Sequence, residues 1–174
     1  MAAYLKFGWS PVLWFRDWPF LVILVAVTFI DLEHRLIPDV LSLGGLALGL
    51  SSSFWVQGLG WQSSVIGAAL GFTLFYLLAW AYEKRAGRSG LGGGDIKLLA
   101  MLGAFLGPAG VMTTVLVSSV SGSILGLAYA AALRKRGTAM MQTAIPYGPF
   151  LVLGGLVDYF FGEALGWFRF TTQI

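Results

Sequence analysis

Apolar residues run through this 174-residue chain in six stretches, separated by short segments that carry most of the charge. A helix that crosses a lipid bilayer needs about 20 mostly apolar residues. Hydrophobic side chains make up 57% of the sequence and charged side chains 11%, and the mean hydropathy is +0.81. This leaves too little polar surface to cover a water-soluble globule. The composition excludes a soluble enzyme and predicts an all-α, polytopic membrane protein with about six transmembrane helices.

The predicted spans cover residues 18–33, 39–56, 64–82, 95–106, 110–133 and 147–165. They leave no room for a soluble domain, so residues 1–174 are predicted to form a single membrane-embedded domain. Residues 1–17 are interpreted as a surface segment or as the remnant of an upstream helix. A cleavable signal peptide is not expected, because a charged first segment is missing. Glycines spaced four apart, such as Gly67 and Gly71, are predicted to let helices pack closely.

The basic residues indicate how the spans are oriented, because cytoplasmic loops retain positive charge. If the first span runs inward, eight basic residues lie inside and three outside. The inner set is Arg35, Lys84, Arg85, Arg88, Lys97, Arg134, Lys135 and Arg136, and the outer set is Lys6, Arg16 and Arg169. The basic clusters are therefore interpreted as topology signals in a cytoplasmic, or inner, membrane. We expect a lipid bilayer as partner and no nucleic acid.

Several kinds of chemistry are excluded by residues that the sequence lacks. There is no cysteine, which removes disulfides, thiolate metal ligands, cysteine nucleophiles and iron–sulfur clusters. A single histidine, His34, makes a multi-histidine metal site or a Ser-His-Asp triad a poor explanation. We therefore expect neither a metal nor a cofactor.

The acidic residues are the remaining candidates, because ionisable groups at membrane depth are costly and usually functional. Solvated or capping roles are expected for the acids at the predicted span boundaries, which are Asp17, Asp39, Glu83 and Glu163. Asp158 lies inside the sixth apolar run, where a snorkelling or helix-packing role is expected. Asp31 and Asp95 instead fall at the same predicted cytoplasmic boundary, on different spans, so they are candidates for a paired site.

Two neighbouring carboxylates suit peptide hydrolysis. One can act as general base toward water while the other, protonated, donates to the scissile carbonyl. Asp95 begins a helix, whose positive dipole end favours the ionised form, whereas Asp31 lies near a helix C-terminus. This favours Asp95 as base and Asp31 as acid. Arg35 could reverse the assignment, and a coupled dyad titrates as a pair.

The glycines before Asp95 have two interpretations. Residues 89–94 read SGLGGG, which is ordinary for a flexible turn that enters a helix. Alternatively, the bare backbone lets an extended peptide approach the carboxylate and pair as an added strand. A phosphate-binding loop is disfavoured, because the sequence GGGD lacks the GxxxxGK[ST] pattern and would aim an acid at an anion.

Three segments carry a family resemblance. They are DLEHRLIPD at 31–39, GGGDIKLLAMLG at 92–103 and IPYGPF at 145–150. In this order they resemble the type IV prepilin peptidases, the bacterial branch of the GxGD aspartic membrane proteases. The resemblance covers roughly residues 18–165. It implies a hydrolase, an endopeptidase that removes the leader of prepilins or type II secretion pseudopilins, cutting after a glycine at the cytoplasmic membrane face.

The resemblance also implies roles for individual residues. Asp31 and Asp95 would be the catalytic aspartates, and Gly92, Gly94 and Lys97 match the rest of the GxGDxK motif as substrate-binding residues. Lys97 would orient a carboxylate or contact substrate, or it would be a basic residue that snorkels to the inner interface. Neither a metal nor a cofactor is implied for the cleavage.

The chain departs from the full-length pattern of that family. Full-length members carry an upstream helix and a cytoplasmic domain, often with paired CxxC motifs, associated with N-methylation of the new terminus by S-adenosylmethionine. We therefore expect a form without the methyltransferase region, either peptidase-only, as in tight-adherence pilus systems, or truncated. Methyltransferase activity is not expected. The oligomeric state is left open.

Other functions stay open at this point. A proton-coupled transporter would also place acids in membrane helices, and would be expected to need Asp158 as a relay. A non-catalytic subunit of a secretion or pilus assembly would tolerate the loss of both Asp31 and Asp95. A presenilin-like protease that cuts inside the bilayer is disfavoured by the boundary position of both acids.

Overall fold

The computed structural model describes residues 11–55, 60–87, 92–135 and 146–165. Within these residues all the regular structure is helical, which confirms the all-α class. The helices are α1 Pro11–His34, α2 Asp39–Ser52, α3 Trp61–Ala86, α4 Gly93–Lys135 and α5 Gly148–Leu165. Helix α1 begins before the predicted start at Trp18, so part of the predicted surface segment is helical. The remainder, residues 1–10, and the basic residues Lys6, Arg88, Arg136 and Arg169 lie outside the described residues.

Helix α4 contains a sharp break at Gly107, which has φ 75° and ψ −177° and precedes Pro108. The left-handed φ suits glycine, which has no Cβ to clash. A Cβ built on Gly103 would lie 2.9 Å from Cγ2 of Val111. In a straight helix these residues would be about 12 Å apart along the axis. The chain therefore folds back at Gly107, and α4 consists of two helical segments that match the fourth and fifth predicted spans.

Two helical ranges have the length and composition of a membrane span, Trp61–Ala86 and Gly93–Tyr129. Asp39–Ser52 and Gly148–Gly162 are shorter apolar helices. Because of the break at Gly107, the second long range is not one straight rod. All six predicted stretches are helical over most of their described residues, with α2 ending at Ser52 inside the stretch 39–56, and their number as transmembrane helices stays a prediction.

The break in α4 exposes backbone carbonyls that other helices satisfy. Pro108 has no N–H, so the carbonyl of Ala104, four residues earlier, loses its helical donor. The hydroxyl of Ser64 on α3 donates to that carbonyl over 2.6 Å. The guanidinium of Arg16 on α1 donates to the next carbonyl, that of Phe105. Unpaired backbone groups are costly in lipid, so these contacts stabilise the break.

The first segment of α4 forms the centre of the helix packing. Leu98, Leu99, Met101 and Leu102 are fully buried. Helix α3 approaches this segment through glycine, because a Cβ on Gly67 would overlap the carbonyl of Gly103. The predicted close packing through small residues is confirmed at this contact. The central position of the segment fixes its N-terminus, where the acidic motif lies.

Candidate active site

Asp31 lies in the last turn of α1 and is only 5% exposed. Its Oδ2 accepts a 2.9 Å hydrogen bond from the backbone N–H of Gly148, the first residue of α5. A Cβ on Gly148 would lie 2.6 Å from that oxygen. A helix N-terminus presents free N–H groups to an anion, so the start of α5 binds the carboxylate of Asp31. A side chain at position 148 would overlap that carboxylate, so glycine is the residue that fits there.

Asp95 lies in the first turn of α4 and is half-buried. Its backbone N–H donates to the carbonyl of Gly92 over 3.1 Å, and its carboxylate accepts a hydrogen bond from the backbone N–H of Gly92. This reciprocal arrangement resembles a capping box, in which an acid at the third helical position bonds back to the N-cap residue. The turn therefore fixes the carboxylate at the start of the helix.

The carboxylates of Asp31 and Asp95 are close enough to interact electrostatically. The structure thus brings together the two acids that the sequence singled out, one from α1 and one from α4. Each accepts a backbone N–H at the start of a helix. The sequence-based contrast, with Asp95 alone at a helix N-terminus, is therefore incomplete, because Asp31 also faces one. Two adjacent carboxylates can divide the general-base and general-acid roles between them.

The segment between α1 and α2 follows Asp31 and packs against the start of α4, next to Asp95. Arg35, the residue directly after α1, has a left-handed conformation with φ 52°, and Pro38 is the N-cap of α2. Ile37 between them is buried, and a Cβ on Gly94 would lie 2.8 Å from the Cβ of Ile37. Gly94 therefore permits the start of α4 to pack on the chain that follows Asp31. Its predicted contact with substrate stays a prediction.

The other two predicted substrate-binding residues lie near the same helix end. Gly92 is exposed, and a Cβ there would lie 3.1 Å from Oδ2 of Asp95, so its bare backbone borders the carboxylate. Nζ of Lys97 donates to Oδ1 of Asp39 over 2.6 Å. Lys97 thus pairs with a carboxylate, as one of its predicted roles required, but with that of Asp39 on α2. Its contact with substrate stays a prediction.

The remaining acids occupy other surroundings. Asp158 is 3% exposed, and a Cβ on Gly110 would lie 2.7 Å from its Oδ2. This burial between α4 and α5 agrees with the helix-packing role and not with snorkelling. Asp17 bonds through its side chain to Tyr159. Glu83 is exposed near the end of α3, and the side chain of Glu163 lies outside the described part of the chain.

Sequence reasoning missed the role of Gly148. The segment IPYGPF supported the family resemblance, but no pattern in it indicated a bond to Asp31. Within the residues that the structure describes, no group of three His, Cys, Asp or Glu side chains could hold a metal ion.

The fold and the site define a class: an all-helical protein with long apolar helices and a pair of neighbouring carboxylates where two helices begin. The model of the type IV leader peptidase family matches residues 18–127, which include Asp31 and Asp95. The chain belongs to this family, as the resemblance predicted. No solved structure matches the chain.

Three curated relatives show the same relationship, and each is called a prepilin leader peptidase/N-methyltransferase. The relative from Xanthomonas campestris pv. campestris is 39% identical over 84% of this chain and 50% of its own length. That from Dichelobacter nodosus is 38% identical over 82% of this chain and 47% of its own length. That from Pseudomonas aeruginosa is 37% identical over 82% of this chain and 48% of its own length. The chain thus spans about half the length of the curated relatives it matches.

Proposed function

We propose that this chain is an aspartic endopeptidase that removes the leader peptide of type IV prepilins or pseudopilins. The observation that carries the proposal is the proximity of the Asp31 and Asp95 carboxylates, supplied by α1 and α4. Membership of the leader peptidase family and the names of the curated relatives support the substrate class. N-methyltransferase activity is not part of the proposal.

The proposed mechanism uses the two carboxylates as one unit. The ionised member takes a proton from a water molecule as that water attacks the scissile carbonyl. The protonated member donates to the carbonyl oxygen, which gives a tetrahedral intermediate with two hydroxyl groups. As its C–N bond breaks, the proton gained from water passes to the departing amine, and one hydroxyl returns a proton to the member that had donated. Because Asp31 and Asp95 both accept a backbone N–H at a helix start, we assign the shared proton to the pair instead of fixing base and acid.

The proposed setting is the cytoplasmic membrane, crossed several times by the six helical segments, with the dyad at the cytoplasmic face. Val22, Val25 and Phe29 form an exposed apolar stripe on α1, as expected of a surface that faces lipid. Basic residues lie near the helix ends that meet at the dyad, with Arg35 directly after α1 and Lys97 near the start of α4. That distribution supports a cytoplasmic location for this end.

The setting also suggests how substrate is presented. The apolar stem of a prepilin would lie along the helices in lipid, and its basic leader would stay at the inner surface beside the dyad. Binding would then depend on membrane partitioning and on the positioning of one peptide bond, and positioning alone contributes several kcal/mol to catalysis.

Co-expression with a prepilin tests the proposal. The wild type is compared with Asp31→Asn, Asp95→Asn and a matched control, Asp39→Asn, which alters a nearby carboxylate outside the dyad. Leader removal is measured by intact-mass spectrometry, which also reports any added methyl group. We expect cleavage by the wild type and the control and, at most, a small residual rate in either dyad variant. Cleavage by a doubly substituted Asp31→Asn, Asp95→Asn protein at a rate near that of the wild type would refute the mechanism.

A further inference from the structure

Helix α1 meets α4 and α5 near both of its ends. At the end remote from the dyad, five side chains from the three helices form a group that we call the distal cluster. Its members are Arg16, Asp17 and Phe20 of α1, Phe105 of α4 and Tyr159 of α5. The cluster lies about 15–22 Å from the dyad along these helices, at 1.5 Å per residue. The proposed mechanism uses none of its side chains.

Two polar contacts in the distal cluster join α1 to different helices. The guanidinium of Arg16 donates to the backbone carbonyl of Phe105, and its Cζ lies 5.6 Å from the centroid of the Phe105 ring, within the range of a cation–π contact. The next residue, Asp17, accepts a hydrogen bond from the hydroxyl of Tyr159. Adjacent residues of α1 therefore hold α4 and α5 through hydrogen bonds, which depend on distance and direction.

Three aromatic rings, one from each helix, pack beside these polar contacts. The ring of Phe20 is fully buried. Its centroid lies 4.4 Å from that of Phe105, with an angle of 26° between the ring planes, and 5.6 Å from that of Tyr159. Ring pairs at these distances attract each other. The three helices are thus interlocked at this end.

Between its two ends, α1 contacts its neighbours through a narrow apolar stripe. Leu24 and Val27 are buried, whereas Val22, Val25 and Phe29 are exposed. Hydrophobic contact has no preferred direction, so the stripe tolerates a small shift of α1 along its axis. The hydrogen bonds of the distal cluster do not tolerate such a shift. They therefore constrain the axial position of α1 more tightly than the middle of the helix does.

The dyad lies at the other end of the same three helices. Asp31 is on α1, Asp95 is in the first turn of α4, and Gly148, whose N–H bonds to Asp31, starts α5. Because a helix has a fixed rise, a shift of α1 at the distal cluster would move Asp31 by the same amount relative to Asp95. Helices shift by about 1–2 Å between packed arrangements, and a misplacement of about 1 Å can lower a rate roughly 100-fold.

We propose that the distal cluster positions the dyad. It fixes the axial position of α1 against α4 and α5, and thereby the depth at which Asp31 faces Asp95. Arg16, Asp17 and Tyr159 are positioning residues, because they act through the helices and lie too far from the dyad to touch the reacting atoms. The effect on catalysis rests on the proposed peptidase function, whereas the effect on the position of α1 does not.

The test compares Arg16→Met, Tyr159→Phe and the double variant with the wild type. Each single variant removes one of the two polar contacts. Ser64→Ala is the matched control, because it removes a donor from the carbonyl of Ala104 at the same break in α4, but from α3, which carries neither acid. Cleavage of a prepilin is measured as kcat and KM per folded molecule.

The position of α1 is measured directly with two spin labels. The chain has no cysteine, so Phe29→Cys on α1 and Leu153→Cys on α5 provide two thiols that are labelled without background. Both positions are exposed and lie outside the dyad and the distal cluster. The distance between the labels, measured in detergent by electron paramagnetic resonance, reports the position of α1 against α5 and does not depend on cleavage.

We expect the double variant to lower kcat roughly tenfold or more, with KM within about twofold of the wild type. The label distance should shift by about 1–2 Å or its distribution should broaden. Each single variant should give a smaller change in the same direction, and Ser64→Ala should retain the wild-type kcat and distance.

Two results would overturn the positioning role and leave the proposed function intact. One is an unchanged label distance in all three cluster variants, and the other is a fall in kcat no larger than that in Ser64→Ala. A wild type that cleaves no prepilin would instead refute the proposed function, and the label distance alone would then decide whether the distal cluster fixes the position of α1.

Discussion

The backbone N–H of Gly148 bonds to Oδ2 of Asp31 over 2.9 Å, although 117 positions separate the two residues in the sequence. The bond joins the end of α1 to the start of α5. It places a helix N-terminus against one of the two acids of the proposed dyad, while the other acid begins α4. The position of Asp31 therefore depends on the docking of the last described helix.

Gly148→Ala is expected to reduce prepilin cleavage by more than tenfold without unfolding the protein. The added Cβ would lie 2.6 Å from Oδ2 of Asp31, so the carboxylate must shift. A displacement of about 1 Å can cost roughly 100-fold in rate. Gly44→Ala is the matched control, because a Cβ at that exposed α2 position meets no atom within 4 Å. Equal cleavage by the two variants would show that the Gly148 contact does not position Asp31.

Substitutions of the two dyad acids are expected to be non-additive. Once Asp31→Asn has removed one proton-transfer group, Asp95→Asn has little left to remove, because residues that act as a unit do not contribute separately. The double variant should therefore cleave at the same residual rate as the more impaired single variant, measured as single-turnover leader removal. A double variant whose loss of rate equals the product of the two single-variant losses would indicate that the two acids have independent roles.

The Lys97–Asp39 ion pair is expected to contribute little to stability. The side chain of Asp39 is 60% exposed and that of Lys97 33%, and exposed pairs are typically worth about 0.2–1 kcal/mol. A double-mutant cycle with Lys97→Gln and Asp39→Asn, measured by unfolding in detergent, should give a coupling energy within this range. We expect both single variants to retain cleavage. A KM increase confined to Lys97→Gln would support the predicted contact with substrate instead.

Ser64→Ala is expected to destabilise the protein by about 1–3 kcal/mol, because it leaves the carbonyl of Ala104 without its donor at the break in α4. Ser64 is fully buried. The measurement is the free energy of unfolding in detergent. Ser51→Ala is the control, since that hydroxyl is exposed and bonds only within its own helix, and it should change stability by less than about 0.5 kcal/mol. A similar loss in both variants would contradict this role for Ser64.

Asp158→Asn is expected to retain leader cleavage. Asp158 lies about 15 Å along α5 from Gly148, at 1.5 Å per residue, and is buried against Gly110. We expect a lower midpoint of thermal unfolding with the cleavage rate per folded molecule within a few-fold of the wild type. A proton-coupled transporter would give the opposite pattern, with function lost on substitution of Asp158 and retained in Asp95→Asn.

Much of the architecture could be predicted because it depends on local composition. The apolar stretches are helical in the structure, and Asp31 and Asp95 were selected because acids are costly at membrane depth. The break in α4 was also predictable, since the spans were divided on either side of Gly107–Pro108. The start of α1 at Pro11 was missed, because the polar and aromatic residues before Trp18 lower the local hydropathy without preventing a helix.

The finer geometry of the site could not be predicted, because it depends on contacts between distant residues. Nothing in the sequence around Gly148 distinguishes a glycine that bonds to Asp31 from one that merely begins a helix. The same holds for Gly94, whose contact is with Ile37, and for Lys97, whose partner Asp39 is 58 positions away. Such pairings depend on how the helices dock, and the periodicity of the sequence does not predict that docking.

The contact between Gly94 and Ile37 affects how the spacing of the two acids is encoded. The main chain at Gly94 packs directly on Cβ of Ile37, in the connection that follows Asp31. Neither group has rotamers to change, so the distance between the two acids is insensitive to the thermal motion of neighbouring side chains. A single methyl group at position 94, by contrast, would act as a wedge and widen the gap between the two carboxylates.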